Sequence, residues 1–356
     1  MTLGGNTMNR KWSAFGILLI FLGTCIIPST AQKIEKSFEP TSRGRWLYVG
    51  GTGPGNYSRI LDAVNDARNG DTIFVYDDSA PYKEGIHITK SISLCGEERT
   101  TTIILGTVNM NFDDVTICNF TVDSINADSL IGGDSNLTIK QNIVGHIFVG
   151  GYDNVTVASN IVSDGMDISS SRVTITGNTI SDGSACCYLL GTNNCTISGN
   201  NLTDSNYGVL VDINCQHVTI VGNTFSHCSE PLYCWGTLHG DIRRNTFINN
   251  PRNTSGIILN ACQWTQVVEN NFINTSMHCM MASELWGSHN VWDRNYWGNP
   301  RLLPKPIYSS NRFILHYLLG YLIYGGAWEP RYPYLVLVPL SLKYDWHPAQ
   351  KPYDIR

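Results

Sequence analysis

The chain has 356 residues, 42% hydrophobic and 15% charged, with 33 glycines and a formal net charge of −5 at pH 7. That balance suits a packed, turn-rich β protein with a weakly charged surface, and it argues against nucleic acid as a partner. The length alone would allow two domains, but a solenoid grows without that limit.

The N-terminus reads as an export signal. Arg10 and Lys11 supply a positive region, residues 14–27 are almost wholly apolar, and Ser29-Thr30-Ala31 is a small-x-small cleavage site. Residues 1–31 are therefore expected to be a signal peptide, placing the protein at the cell envelope or outside the cell. Residues 32–45 form a polar lead-in. Gly50-Gly51-Thr52-Gly53-Pro54-Gly55 has the look of a phosphate loop, yet it lacks the Gly-Lys-Ser/Thr ending and Pro54 removes an amide. It is better read as a turn into a helix over residues 57–67, with Ile60, Val64 and Ala67 on one face. Asn56 or Ser58 is expected to cap that helix and Asn69-Gly70 to end it. Such a helix can cover the open first coil of a β stack, whose bare edge would invite association. Strands are expected at 72–76, 85–88, 91–94 and 102–105.

From residue 137 one phrase recurs: Leu-Thr-Ile-x-x-Asn-Ile at 137–143, Val-Thr-Val-x-x-Asn-Ile at 155–161, then further copies at 173, 195 and 218. Its asparagines fall at 142, 160, 178, 200, 223, 245, 270 and 295, which gives spacings by subtraction of 18, 18, 22, 23, 22, 25 and 25. Repeats of this length mean stacked structural units. Apolar–polar–apolar alternation is a strand with one buried face. An Asn after each strand suits a bend, because Asn tolerates the left-handed conformation. Together these predict a single-stranded, right-handed parallel β-helix over residues 46–299, with a helical N-terminal cap and an irregular C-terminal cap at 300–356. Stacked asparagines should form a ladder between coils. Eight of them, with coils about 4.8 Å apart, span roughly 35 Å. The first copy, Val115-Thr116-Ile117 with Asn119-Phe120, reads as a shortened coil. After Asn178 the added residues fall between the Asn and the next inner strand, the kind of insertion that often forms a solenoid's ligand surface.

Several segments resemble NosD-like proteins. They are Tyr48-Val49-Gly50-Gly51, Gly53 to Ser58, Asn69-Gly70-Asp71-Thr72-Ile73, Tyr76-Asp77-Asp78 and Ser91 to Leu94. The Asn-Thr-Ile/Phe coils match as well, as do Asn295-Tyr296-Trp297-Gly298 and Asp345-Trp346-His347-Pro348, the latter in the style of archaeal members. The resemblance covers about residues 46–350. It implies an exported β-helix of the pectin-lyase-like type and, for function, copper handling.

Three groups of residues are candidates for chemistry. Asp164, Asp182 and Asp204 recur after the strand turn and either line one side of a groove or simply serve as turn residues. Tyr188, Tyr207, Tyr233, Trp235, Trp264 and Trp286 crowd the longer coils, where aromatic faces can stack on sugar rings or fill a wider interior. Met277-His278-Cys279-Met280 offers soft ligands that favour Cu(I), although alternate residues of a strand there would face the core. The apolar runs within 313–340 are too short to span a bilayer and are expected to cap the last coil, with membrane-surface contact as the alternative. The ten cysteines beyond the signal are expected to be mostly free, buried thiols: Cys195 takes the place held by valine in other coils. The catalytic motifs of pectin methylesterases, polygalacturonases and pectate lyases are absent. The functional expectation is therefore non-catalytic binding of a carbohydrate or cell-envelope polymer, with no cofactor. The alternatives are a polysaccharide lyase or hydrolase and a copper-handling accessory protein.

Overall fold

The structure, a computed structural model, describes residues 44–129, 135–251, 255–275, 279–282, 288–310 and 343–355, with the backbone alone at 279–282 and 308–310. The expected signal peptide, Trp286, Met277, His278 and the 313–340 runs lie outside these residues.

The described residues form an all-β parallel solenoid. Each regular coil contributes to three parallel ladders. Ladder A holds the Val-Thr-Ile strands, from Trp46–Val49 and Thr72–Val75 through Leu137–Lys140 and Thr196–Ser198 to Val291–Asp293. Ladder B follows each Asn and includes Ile161–Val162, Thr179–Ser181, Asn201–Thr203, Thr224–Ser226, Thr246–Ile248 and Asn271–Ile273. Ladder C runs from Ile86–Ile88 through Ala185–Leu189, Tyr207–Val211, Glu230–Trp235 and Ile257–Asn260 to Cys279–Ala282. Strand register keeps like above like. Ile117, Ile139, Val157, Ile175 and Ile197 stack in ladder A and are fully buried. In ladder B, Phe225, Phe247, Phe272 and Trp297 form a column of parallel rings, with centroids 4.8, 4.9 and 4.4 Å apart.

The asparagine column is present and closed. The Oδ1 of Asn200 accepts the backbone N–H of Asn178 at 2.8 Å, while its Nδ2 donates to the Ile175 carbonyl at 3.0 Å. The same pair of bonds recurs at Asn160, Asn178, Asn223, Asn245 and Asn270. These amides thus satisfy backbone groups that water cannot reach. The bend itself differs from expectation. The left-handed residue is the one before each Asn, such as Gln141 (φ 58°), Gly199 (φ 61°) and Arg244 (φ 51°), and the column asparagines keep negative φ. An amide aimed inward at the previous coil is not available to stabilise its own left-handed turn. In the first copy Asn119 takes φ 63° and Phe120 occupies the column position, its N–H donating to Asn142 Oδ1.

Helix α1 is shorter than the sequence suggested, Ile60–Asp66, with Ile60, Ala63 and Val64 buried. Neither Asn56 nor Ser58 caps it. The Glu84 carboxylate does, accepting the N–H groups of Ile60 (2.8 Å) and Leu61 (3.0 Å). The helix ends at Ala67 in extended conformation, before Asn69-Gly70.

At the other end, Lys343–Asp345 pairs antiparallel with 305–307. Asp345 takes the place of the next asparagine: its Oδ2 accepts Asn295 N–H (2.9 Å), Asn295 Nδ2 (3.1 Å) and the Trp297 indole N–H (3.0 Å). The Asp-Trp-His-Pro motif therefore terminates the asparagine column.

Candidate functional site

The outer side of ladder C carries a set of polar and aromatic side chains from successive long coils. Register places Asp167, Tyr188, Leu210, Tyr233 and Ile258 in one row. Ala185, Tyr207 and Glu230 form a second row, and Trp235 lies opposite Asn260. The expected Tyr188, Tyr207, Tyr233 and Trp235 are thus brought to one face. The Tyr188 hydroxyl donates to Asp212 Oδ2 at 2.7 Å, and Asn260 Nδ2 donates to the Tyr233 hydroxyl at 3.1 Å. Tyr207 meets Tyr233 edge-on, centroids 5.9 Å apart. These contacts fix the rings, while Trp235 stays 48% exposed.

The electrostatics of this face are set by acids. The hydrogen bond to Asp212, with burial, pushes the Tyr188 hydroxyl up to about 12. Burial raises Tyr207. Burial also raises the Glu230 carboxyl above its usual range, and among the described residues it has no hydrogen-bond or ion-pair partner. The ladder C positions between residues 86 and 260 contain no Lys or Arg.

Two turns flank the face. On the side leading from ladder B, Asp182 (φ 59°), Asp204 (φ 57°) and His227 (φ 54°) are left-handed turn residues of successive coils. With Gly183, Ser205, Asn206 and Ser229 they line a shallow depression of about 400 Å³. Asp182 and Asp204 are therefore both turn residues and groove residues. Asp164 lies outside the depression; in its coil Gly165 takes the left-handed position (φ 70°). Thr203 Oγ1 donates to Asp204 Oδ2 at 2.7 Å, and His227 Nδ1 stands 3.8 Å from Asp204 Oδ1.

On the side leading to ladder A, Trp264 belongs to a surface ring stack with His217, His239 and His289, all at positive φ. One indole face lies toward His239 (centroids 6.3 Å) and the other against His289 (4.1 Å). The stack leaves Trp264 50% exposed.

For metal ligands, Cys279 and Met280 are placed by backbone register opposite Ile257 and Ile258. Among the described residues no group of three or more His, Cys, Asp or Glu could hold a metal ion. Asp212, Glu230 and Asn260 were missed by sequence reasoning. Each stands outside the repeated phrase, so no periodic signal marks it.

Residues 64–302 match the family described as "Periplasmic copper-binding protein (NosD)". No curated protein matches. Among solved structures, the A-modules of Azotobacter vinelandii mannuronan C-5 epimerases AlgE6 and AlgE4 are similar at 12% identity. The first covers 66% of this chain and 86% of its own at a TM-score of 0.42, the second 65% and 93% at 0.39. A pectate lyase, Pel9A, is similar at 12% identity, covering 70% of each chain at a TM-score of 0.34.

Proposed function

The chain belongs to the NosD family, and from that premise we propose that the outer face of ladder C binds an extended, hydroxyl-rich polymer of the carbohydrate class outside the cytoplasm. The observation that carries this reading is the clustering of Tyr188, Tyr207 and Tyr233, from three successive coils and two neighbouring rows, beside Asp212, Glu230 and Asn260. Coils repeat about every 4.8 Å, so a polymer lying along the stack meets a tyrosine of the Tyr188–Leu210–Tyr233 row at every second coil, with Tyr207 beside it in the neighbouring row. Fixed aromatic rings supply apolar contact, and the carboxylates and amide bond hydroxyls. With acids and no Lys or Arg on the face, the ligand is neutral or amine-bearing; a polyuronate would meet like charge. Binding to a glycan array without release of reducing ends or unsaturated products supports this reading. Absence of binding to any polymer sinks it, and turnover converts it to an enzyme.

The description of the family as copper-binding favours a second reading, copper handling at residues 277–281. Titration of protein lacking Met277 to Met281 tests it. Copper affinity unchanged from the full chain removes that site.

A further inference from the structure

Cys95 and Cys118 differ from the other described cysteines. They are register partners in ladder A; Cys186 and Cys228 also bond through their side chains but are not register partners. They also sit in the outward row Phe74–Cys95–Cys118–Lys140, alternating with the inward Leu94 and Ile117. Both are buried, at 7% and 1% exposure, yet neither belongs to the contiguous core cluster inside the coils. By contrast, Cys187, Cys195 and Cys234 lie in the core cluster, and Cys186 bonds Ser205 Oγ at 3.1 Å.

The two sulfur atoms are 2.8 Å apart, closer than the roughly 3.5–4.0 Å of ordinary non-bonded carbon contacts. Strands about 4.8 Å apart bring opposed Cα atoms within the range of about 4.4–6.8 Å that a disulfide spans. We propose that Cys95 and Cys118 form a disulfide in an oxidising compartment, a covalent link between successive coils next to the N-terminal cap. The hydrogen bond between them lowers the pKa of the Cys118 thiol and raises that of Cys95, and burial opposes ionisation of both; the pairing rests on their register and their contact distance. In exchange with a small-molecule disulfide, one cysteine thiolate attacks a sulfur and expels a thiolate. The second cysteine then attacks the mixed disulfide and expels the other. Two S–H bonds are lost, one S–S bond forms, and the two electrons and two protons pass to the oxidant, which is released as two thiols.

The test uses the full chain, reduced, then incubated with oxidised glutathione, unfolded in acid, alkylated and mapped by peptide mass. The expected result is one intramolecular link, Cys95 to Cys118, with two hydrogens lost and the remaining cysteines alkylated. Oxidised protein should also unfold at higher urea concentration than reduced protein. Recovery of both residues alkylated, or a link of either to another cysteine, overturns the proposal. An unchanged urea midpoint in protein that does carry the link overturns its stabilising role. The wild-type mapping needs no variant. A Cys118→Ala chain that remains folded by circular dichroism should lose the link, and a link from Cys95 elsewhere in it counts against the pair.

Discussion

The coils up to Asn178 and those after it share the asparagine column and the aliphatic interior of ladder A but differ outside. Ile161 pairs with Thr179 and Met166 with Cys187, so the step from ladder B to ladder C is 166 − 161 = 5 residues in one coil and 187 − 179 = 8 in the next. The added residues become Ser184-Ala185-Cys186, Asn206-Tyr207-Gly208 and Ser229-Glu230-Pro231 in successive coils. They supply Tyr207 and Glu230 to the face, and Asn206 and Ser229 to the depression beside it. Through the same change the asparagine column continues with the same two bonds per coil. Architecture is thus held by the constant part of each coil, and the candidate chemistry enters through the variable part.

That separation can be broken first in the interior. Phe247→Ala should cost about 3–5 kcal/mol in urea unfolding, because it removes the middle ring of a fully buried column and leaves a cavity. An effect below about 1 kcal/mol would mean the column is not close-packed. Asn200→Ala comes next, at on the order of 3 kcal/mol, since it orphans the Asn178 N–H and the Ile175 carbonyl at about 1–3 kcal/mol each. The same change at Asn160, among the short coils, should cost about the same. A large difference between the two would show that coil length does reach the interior.

Outside, the expectation reverses. Tyr207→Ala should weaken polymer binding by about tenfold or more, roughly 1.4 kcal/mol, with little change in unfolding midpoint. Glu230→Gln is the smallest of the set in stability. Burial raises the folded carboxyl's pKa, so the unfolded chain ionises first as pH rises. Glu230 therefore lowers stability above the ordinary glutamate range and has no such effect below it. Replacement by Gln should flatten the fall in stability on that alkaline side. An unchanged pH profile would show that the carboxyl is well solvated.

Most of the fold was legible because repetition amplifies a weak signal. Val-Thr-Ile before Asn marks ladder A, and the Asn marks the turn into ladder B. Ladder C carries no shared phrase: its strands read Met-Asp-Ile, Ala-Cys-Cys-Tyr-Leu, Tyr-Gly-Val-Leu-Val and Glu-Pro-Leu-Tyr-Cys-Trp. Tyr188, Tyr207, Tyr233 and Trp235 were found as aromatics, not as members of a face. Asp212 and Glu230 were not found, since single carboxylates among many give no pattern. Asp345, distant in sequence from Asn295, could be placed at the end of the column only by three-dimensional proximity.

The proposed role of the face of the long coils, rather than of the repeated core, is recognition of a neutral or amine-bearing glycan. It is tested most directly by measuring glycan binding and urea unfolding on the same two proteins, the wild-type chain and a Tyr207→Ala/Glu230→Ala variant. The expected result is binding reduced by at least about tenfold at a midpoint close to that of the wild type. Equal binding by both proteins, or stronger binding of a polyuronate than of a neutral or amino-sugar polymer, would contradict it.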